Sequence, residues 1–132
     1  MADLMKLQII NPERKFYEGN ASMVEMTTTE GEIGVYGGHI PMTAIVAPGI
    51  LKIHEENEIK EAALISGFVE ILPDKIVVMA EVVEWPDEID KNRAEEARIR
   101  AERRIKDQNG EIDIMRAETA LKKALVRLSL TK

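Results

Sequence analysis

The chain has no cysteine, which rules out disulfides and thiolate metal sites and fits a reducing compartment. It also lacks any run of about 18 apolar residues, the length a helix needs to span a bilayer. Its first residues, MADLMKLQII, carry an acid and an alternating pattern where a secretory signal would be basic and then continuously apolar. A location on the cytoplasmic side is expected from these absences. Histidine is nearly absent too: His39 and His54 have no partners at the helical or hairpin spacing that a metal-binding or acid–base site needs. Both read as surface or structural side chains, and no catalytic residue and no metal site are expected.

What is present divides in two. The 132 residues suffice for one domain, or for a small domain with an appendage. Of the formal charge of −6, residues 1–88 carry 6 Lys/Arg against 16 Asp/Glu, giving −10, and residues 89–132 carry 12 against 8, giving +4. Such a split is a statement about association surfaces, and it suggests that the two parts face different partners.

The first part alternates. Met5, Leu7 and Ile9 fall on one side of Lys6 and Gln8, Leu51 and Ile53 flank Lys52, and Val69 and Ile71 flank Glu70. Ile76 to Val83 is nearly continuous and predicts a strand buried on both faces. Turn signals separate the segments at Asn11-Pro12, Glu18-Gly19-Asn20, Gly31, Gly37-Gly38, Pro48-Gly49, Glu56-Asn57 and Pro73-Asp74. The expectation is an N-terminal antiparallel β-sandwich or flattened barrel of about ten short strands over residues 1–86.

After Trp85-Pro86 the composition turns to Ala, Glu, Arg and Ile, with no glycine before Gly110. Pro86 is acceptable in a first helical turn, and Asp87, Glu88 and Asp90 suit a helix N-terminus. A first helix is predicted from here to about Lys106, a stop at Asp107-Gln108-Asn109-Gly110, and a second helix from about Glu111 to Leu128. Residues 87–132 would thus form an antiparallel helical hairpin, and the class is α+β, strands first. Its seam would join Ala94, Ala97, Ala101 and Ile105 to Ile114, Ala117, Leu121, Ala124 and Leu128. Alanine favours the helix but buries little area, so the hairpin should be helical by propensity and weakly closed.

Two basic ladders run beside that seam. Arg93, Arg100 and Arg104 are spaced seven and four, and Arg116, Lys123 and Arg127 repeat the spacing, each trio covering roughly 40° of arc. They are either solvated faces with intrahelical pairs such as Glu96 to Arg100 and Glu118 to Lys122, or surfaces for an acidic partner or a polyphosphate.

The densest glycine cluster is GEIGVYGGHIPM, residues 31–42. No lysine and no helix follow it, so it matches neither a phosphate loop nor a dinucleotide fingerprint. It reads as a protruding loop whose backbone is offered to another protein.

That loop, continued as GEIGVYGGHIPMTAIVAPGILKI, then AALISGFVEILPDKIVVMAEVVE, then EIDKNRAEEARIRAERRI, resembles the epsilon subunit of bacterial F-type rotary ATP synthases from end to end. That family usually shows Gly-Glu, an apolar residue, Gly, two apolar residues and Pro-Gly-His-x-Pro-Leu. A Ser-Gly-Gly strand follows, and then a helix opened by [I/L]-D-x-x-R-A. Gly37 stands where proline is usual, and Ser66-Gly67 where two glycines are usual.

The resemblance implies a non-catalytic rotor subunit. The sandwich would rest beside gamma on the ring of c subunits, with Glu32, Gly34 and His39 at those contacts. The hairpin would be regulatory, either folded against the sandwich or extended along gamma toward alpha and beta, where it inhibits ATP hydrolysis. The family motif falls on Ile89, Asp90, Arg93 and Ala94. In some members ATP binds there as a regulatory ligand, joined by positions matching Glu84, Arg100, Lys123 and Arg127; magnesium is left open. The whole would sit peripherally on the cytoplasmic side of the cell membrane. The alternatives are a free-standing ATP-binding module and a β-sandwich adaptor with a coiled-coil arm.

Overall fold

The computed structural model describes residues 4–107 and 110–131. Backbone contacts divide the chain into two units, Met1–Glu84 and Trp85–Lys132.

The first unit contains eight strands among its described residues: β1 (Met5–Asn11), β2 (Arg14–Ala21), β3 (Met23–Thr28), β4 (Gly31–Tyr36), β5 (Met42–Ile45), β6 (Gly49–His54), β7 (Ile59–Ile71) and β8 (Lys75–Glu84). The hydrogen-bonded order is β2-β1-β8-β7-β6-β3-β4, with β5 on β7. The 13-residue β7 serves both layers of the sandwich. Its start pairs with β6 from Ile59 to Leu64, and its end pairs with β5 from Phe68 to Ile71. Most neighbours are antiparallel, but β1 runs parallel to β8.

The described residues form eight strands where about ten were expected, and one of the expected turn signals is not a break. Glu18-Gly19-Asn20 lies inside β2, where Gly19 pairs with Leu7. Ser66-Gly67 is a bulge within β7, its register slipping on either side of Ser66. The alternation puts the expected residues inside: Met5, Leu7, Ile9, Leu51, Ile53, Val69 and Ile71 are all buried. In β8, Ile76 to Val78 are buried on both faces, whereas Met79 turns out to solvent. The run Ala62 to Ile65 in β7 is buried on both faces as well, a point the alternation did not reveal.

The second unit does not open as expected. Pro86–Glu88 makes one 3-10 turn, closed by a capping box in which the Glu88 side chain accepts the Trp85 N–H at 2.9 Å. Ile89 returns to extended backbone, and α1 (Lys91–Asp107) begins only after Asp90. Asp90 caps it, Oδ1 accepting the Arg93 N–H at 3.1 Å. Asp87, Glu88 and Asp90 therefore precede the helix, and its first turn holds no acid. Helix α2 spans Glu111–Leu130. Gln108 and Asn109 of the expected stop lie outside the described residues.

Candidate functional site

The hairpin seam is built from alanine. Ala94, Ala101, Ala117 and Ala124 are buried, while Ala97, Ile105, Ile114, Leu121 and Leu128 are half-buried. On each helix the two buried alanines are seven residues apart, Ala94 and Ala101 on α1 and Ala117 and Ala124 on α2, a spacing of about 10.5 Å along the axis. Each methyl contributes roughly 0.8 kcal/mol on burial, so the four together add about 3 kcal/mol. The larger side chains that would add more keep contact with solvent.

The residues matched to the nucleotide motif separate by role. Ala94 is consumed by the seam. Asp90 is the cap of α1 and occupies the Arg93 N–H, so that amide is not open to a phosphate. Ile89 is the half-buried extended link. Arg93 and Arg100 are exposed and two turns apart on one face of α1, and Lys123 and Arg127 are half-buried and one turn apart on α2. Arg100 sits closer to the connection. Glu84 belongs to the first unit, where it ends β8, pairs with Ala63 and lines an open cleft of about 290 Å³ with Asn11, Arg14 and Glu81.

The expected intrahelical pairs Glu96 to Arg100 and Glu118 to Lys122 are not formed. The pairs on α1 centre on Arg98, which reaches Glu95 and Glu102. Arg98 holds the Glu95 carboxyl below its usual range, chiefly through the hydrogen bond it donates. Among the described residues the side chains of Arg93, Arg100, Arg104, Arg116 and Lys123 make no ion pair. Those five ladder cations are therefore not neutralised by carboxylates among the described residues of the hairpin.

In the sandwich, Glu32 and Gly34 are exposed on β4, and half-buried His39 follows in the loop before β5. His39 Nδ1 donates to the Ile40 carbonyl at 2.7 Å, which places the proton on that nitrogen and leaves Nε2 without a hydrogen bond among the described residues. Gly38 has φ +81 and donates its N–H to the Pro73 carbonyl at 2.6 Å, tying the loop to the β7–β8 turn. His54 is structural: its Nε2 meets Glu25 Oε2 at 2.6 Å across β3 and β6. Among the described residues no His, Asp or Glu cluster could hold a metal.

One surface escaped the sequence reading. Ile45, Phe68, Met79 and Ile10 are directly opposite one another across β5, β7, β8 and β1, and all are exposed, by 61, 42, 41 and 39%. The adjacent inner row is Ala44, Val69, Val78 and Ile9. The row could not be read from any one strand, because each contributes a single apolar residue and only the register aligns them.

Comparison with known proteins agrees with this architecture. The model for the beta-sandwich domain of the ATP synthase Delta/Epsilon chain matches residues 4–86, and that for the long alpha-helix domain of the same chain matches residues 87–132. The ATP synthase epsilon chain of Alkaliphilus metalliredigens is 42% identical over 132 residues, covering 100% of this chain and 98% of its own. That of Ruminiclostridium cellulolyticum is 40% identical over 125 residues, covering 95% and 93%. Among solved structures, a chain of the Euglena gracilis mitochondrial ATP synthase, OSCP/F1/c-ring in rotational state 1, matches with a TM-score of 0.81 at 21% identity. It covers 96% of this chain and 79% of that one. A chain of the Tetrahymena thermophila mitochondrial ATP synthase central stalk/c-ring gives 0.71 at 15%, covering 97% and 96%. At those identities the structures speak for the fold, and the sequence relatives carry the family. No helix among the described residues is long and apolar enough to cross a membrane. With both domains matched in order and relatives similar along their whole length, the chain belongs to the ATP synthase epsilon-chain family, a structural rather than a catalytic subunit of the synthase.

Proposed function

We propose that this chain is a rotor subunit of the central stalk, linking gamma to the c ring through its sandwich and restraining ATP hydrolysis through its hairpin. The observation that carries the reading is the hairpin itself: a seam whose fully buried side chains are four alanines, flanked by Arg93, Arg100, Arg104, Arg116 and Lys123, which make no ion pair among the described residues. A partner that supplies carboxylates and larger apolar side chains competes well with so small a seam. The alpha and beta subunits are the proposed partners of the extended hairpin. In the sandwich, Glu32, Gly34 and His39 are the proposed rotor contacts, and the Ile10, Ile45, Phe68, Met79 row adds an apolar surface suited to a neighbouring subunit. The chain would lie peripherally at the cytoplasmic face of the membrane.

ATP is proposed as a ligand that favours the folded hairpin. With the Arg93 amide capped, the phosphates would be held by the side chains of Arg93, Lys123, Arg127 and Arg100 rather than by the helix N-terminus. A ligand shifts two states only by its difference in affinity for them, about 1.4 kcal/mol per tenfold.

Removing residues 89–132 tests regulation: hydrolysis by the assembled synthase should rise while assembly is kept, and unchanged hydrolysis would make the hairpin purely structural. Titration calorimetry of the full chain with ATP, with and without magnesium, tests the ligand. Binding heat that falls in Arg93→Ala supports it, and no heat in the unsubstituted chain removes the sensor role.

A further inference from the structure

The sandwich has three strand edges, and they differ in protection. Strand β2 is bulged against β1 at Ile9/Ile10 and carries the Lys15–Glu18 pair, and β5 is only four residues long. Both are ordinary ways of blunting an edge. The six residues of β4 pair with β3 in unbroken register, contain no proline and no bulge, and carry one charge, Glu32.

The hydrogen-bonding parity of β4 follows from its hairpin. Thr28 and Gly31 close a two-residue turn at Thr29-Glu30, so they are a hydrogen-bonded pair, and the pairs alternate from there. Gly31, Ile33 and Val35 therefore point their N–H and C=O groups at β3. Thr27 fits the same parity, because its carbonyl faces away from β4 and accepts the Ala47 N–H at 3.0 Å. The backbone groups of Glu32, Gly34 and Tyr36 are then directed off the sheet, and among the described residues nothing pairs with them.

We propose that β4 is a strand-addition site, taking an extended segment of a neighbouring synthase subunit onto the N–H and C=O groups of Glu32, Gly34 and Tyr36. The identity of that neighbour rests on the rotor reading above; the mode of contact does not. The side chains define the segment. Glu32 stands beside Glu30, and Glu25 lies opposite Gly34, so the added strand carries a Lys or Arg level with Glu32. At Gly34 a methyl would meet only Met23 Sδ at 3.6 Å and Glu25 Cγ at 3.9 Å, so this position has room for a small side chain without disturbing the strand. A second copy of the chain is the wrong occupant, because residues 1–88 carry −10 and would bring acidic edges together.

The test uses the full chain and synthase stripped of this subunit. Gly34→Pro deletes one outward N–H without touching a bond to β3, and Gly34→Ala keeps that N–H and adds a methyl with room for it. Strand addition predicts that Gly34→Pro rebinds about tenfold or more weakly than Gly34→Ala. It also predicts that the amides of Glu32, Gly34 and Tyr36 become protected from hydrogen exchange on assembly. Equal rebinding of the two variants, or rebinding without protection of those amides, overturns strand addition and leaves the rotor reading standing. Failure of the unsubstituted chain to rebind overturns both. Protection that grows with concentration of the isolated chain assigns the edge to a second copy and refutes the proposal.

Discussion

Gly67→Ala is expected to be among the most damaging single-methyl changes in the sandwich. Gly67 has φ +139, a conformation that costs an L-residue about 1–3 kcal/mol. The new Cβ would meet backbone, not a yielding side chain: it would lie 2.9 Å from Ala80 Cα and 3.1 Å from the Met79 carbonyl carbon, and closer still to that carbonyl's oxygen. Strand β8 would have to move away from β7, or Gly67 would have to rotate and release the Val46 N–H it accepts at 2.9 Å. A buried hydrogen bond left unmade adds about 1–3 kcal/mol, so the total loss is about 2–6 kcal/mol. At the middle of that range, about 4 kcal/mol, a domain of this size melts about 16–32 °C lower. Ser66→Gly, which restores the usual family pair, should cost no more than about 1 kcal/mol, through chain entropy alone. Scanning calorimetry of the full chain compares the two. If Gly67→Ala melts within about 1 kcal/mol of the parent, the bulge does not hold Gly67 in this conformation and the reasoning fails.

Other substitutions probe the loop, the cap and the buried phenol. Gly38 has φ +81 while Gly37 is outside the positive region, which is the pattern of a type II turn with its proline-favouring position at Gly37. Gly37→Pro should therefore stabilise the sandwich by about 0.4–1 kcal/mol in urea unfolding, and a loss of stability would show that the turn is of another kind. Asp90→Ala should cost the hairpin about 1 kcal/mol, visible as reduced helicity on heating, whereas Asp90→Asn should retain most of the cap. Tyr17 is held protonated above its ordinary value of 10 by burial, by the hydrogen bond it donates to Glu55 and by the charges of Glu55 and Glu58. Because the folded form keeps a proton that the unfolded chain releases, this contribution is intact below about pH 10. It is lost as pH rises above that, by up to about 1.4 kcal/mol per unit. Urea midpoints in Tyr17→Phe should show a shallower alkaline decline than in the parent.

Much of this fold was legible because alternation and turn chemistry act locally. Leu7, Leu51, Ile53 and Val69 are buried as their spacing demanded, and the alanine seam falls on the residues whose period required it. What stayed hidden depends on register. A glycine inside a strand looks like a break until its partner strand is known, which is why Gly19 was read as a turn. The outward row from Ile10 to Ile45 and the open backbone of β4 are cross-strand properties with no trace in any single segment. The start of α1 was misplaced for a different reason: Asp87, Glu88 and Asp90 all suit a helix N-terminus, and only geometry tells which one caps it. The nucleotide motif was legible as a pattern, and so was the place of Ala94 in the seam, but not that Asp90 is committed to the cap.

The parallel pairing of β1 and β8 has a mechanical meaning. Strand β8 leads directly into the segment that carries the hairpin, and it lies between β7 and β1 rather than at an edge. A pull transmitted along the chain through Glu84 acts along the strand axis, so it loads the rungs to both neighbours together instead of peeling them one by one. Asn11 adds a tie at that end, its side-chain amide donating to the Ala80 and Glu81 carbonyls at 3.2 and 3.0 Å. A tug on the helical arm thus meets the sandwich in shear, where a ladder resists best, and the arm can be drawn hard before its anchor unravels.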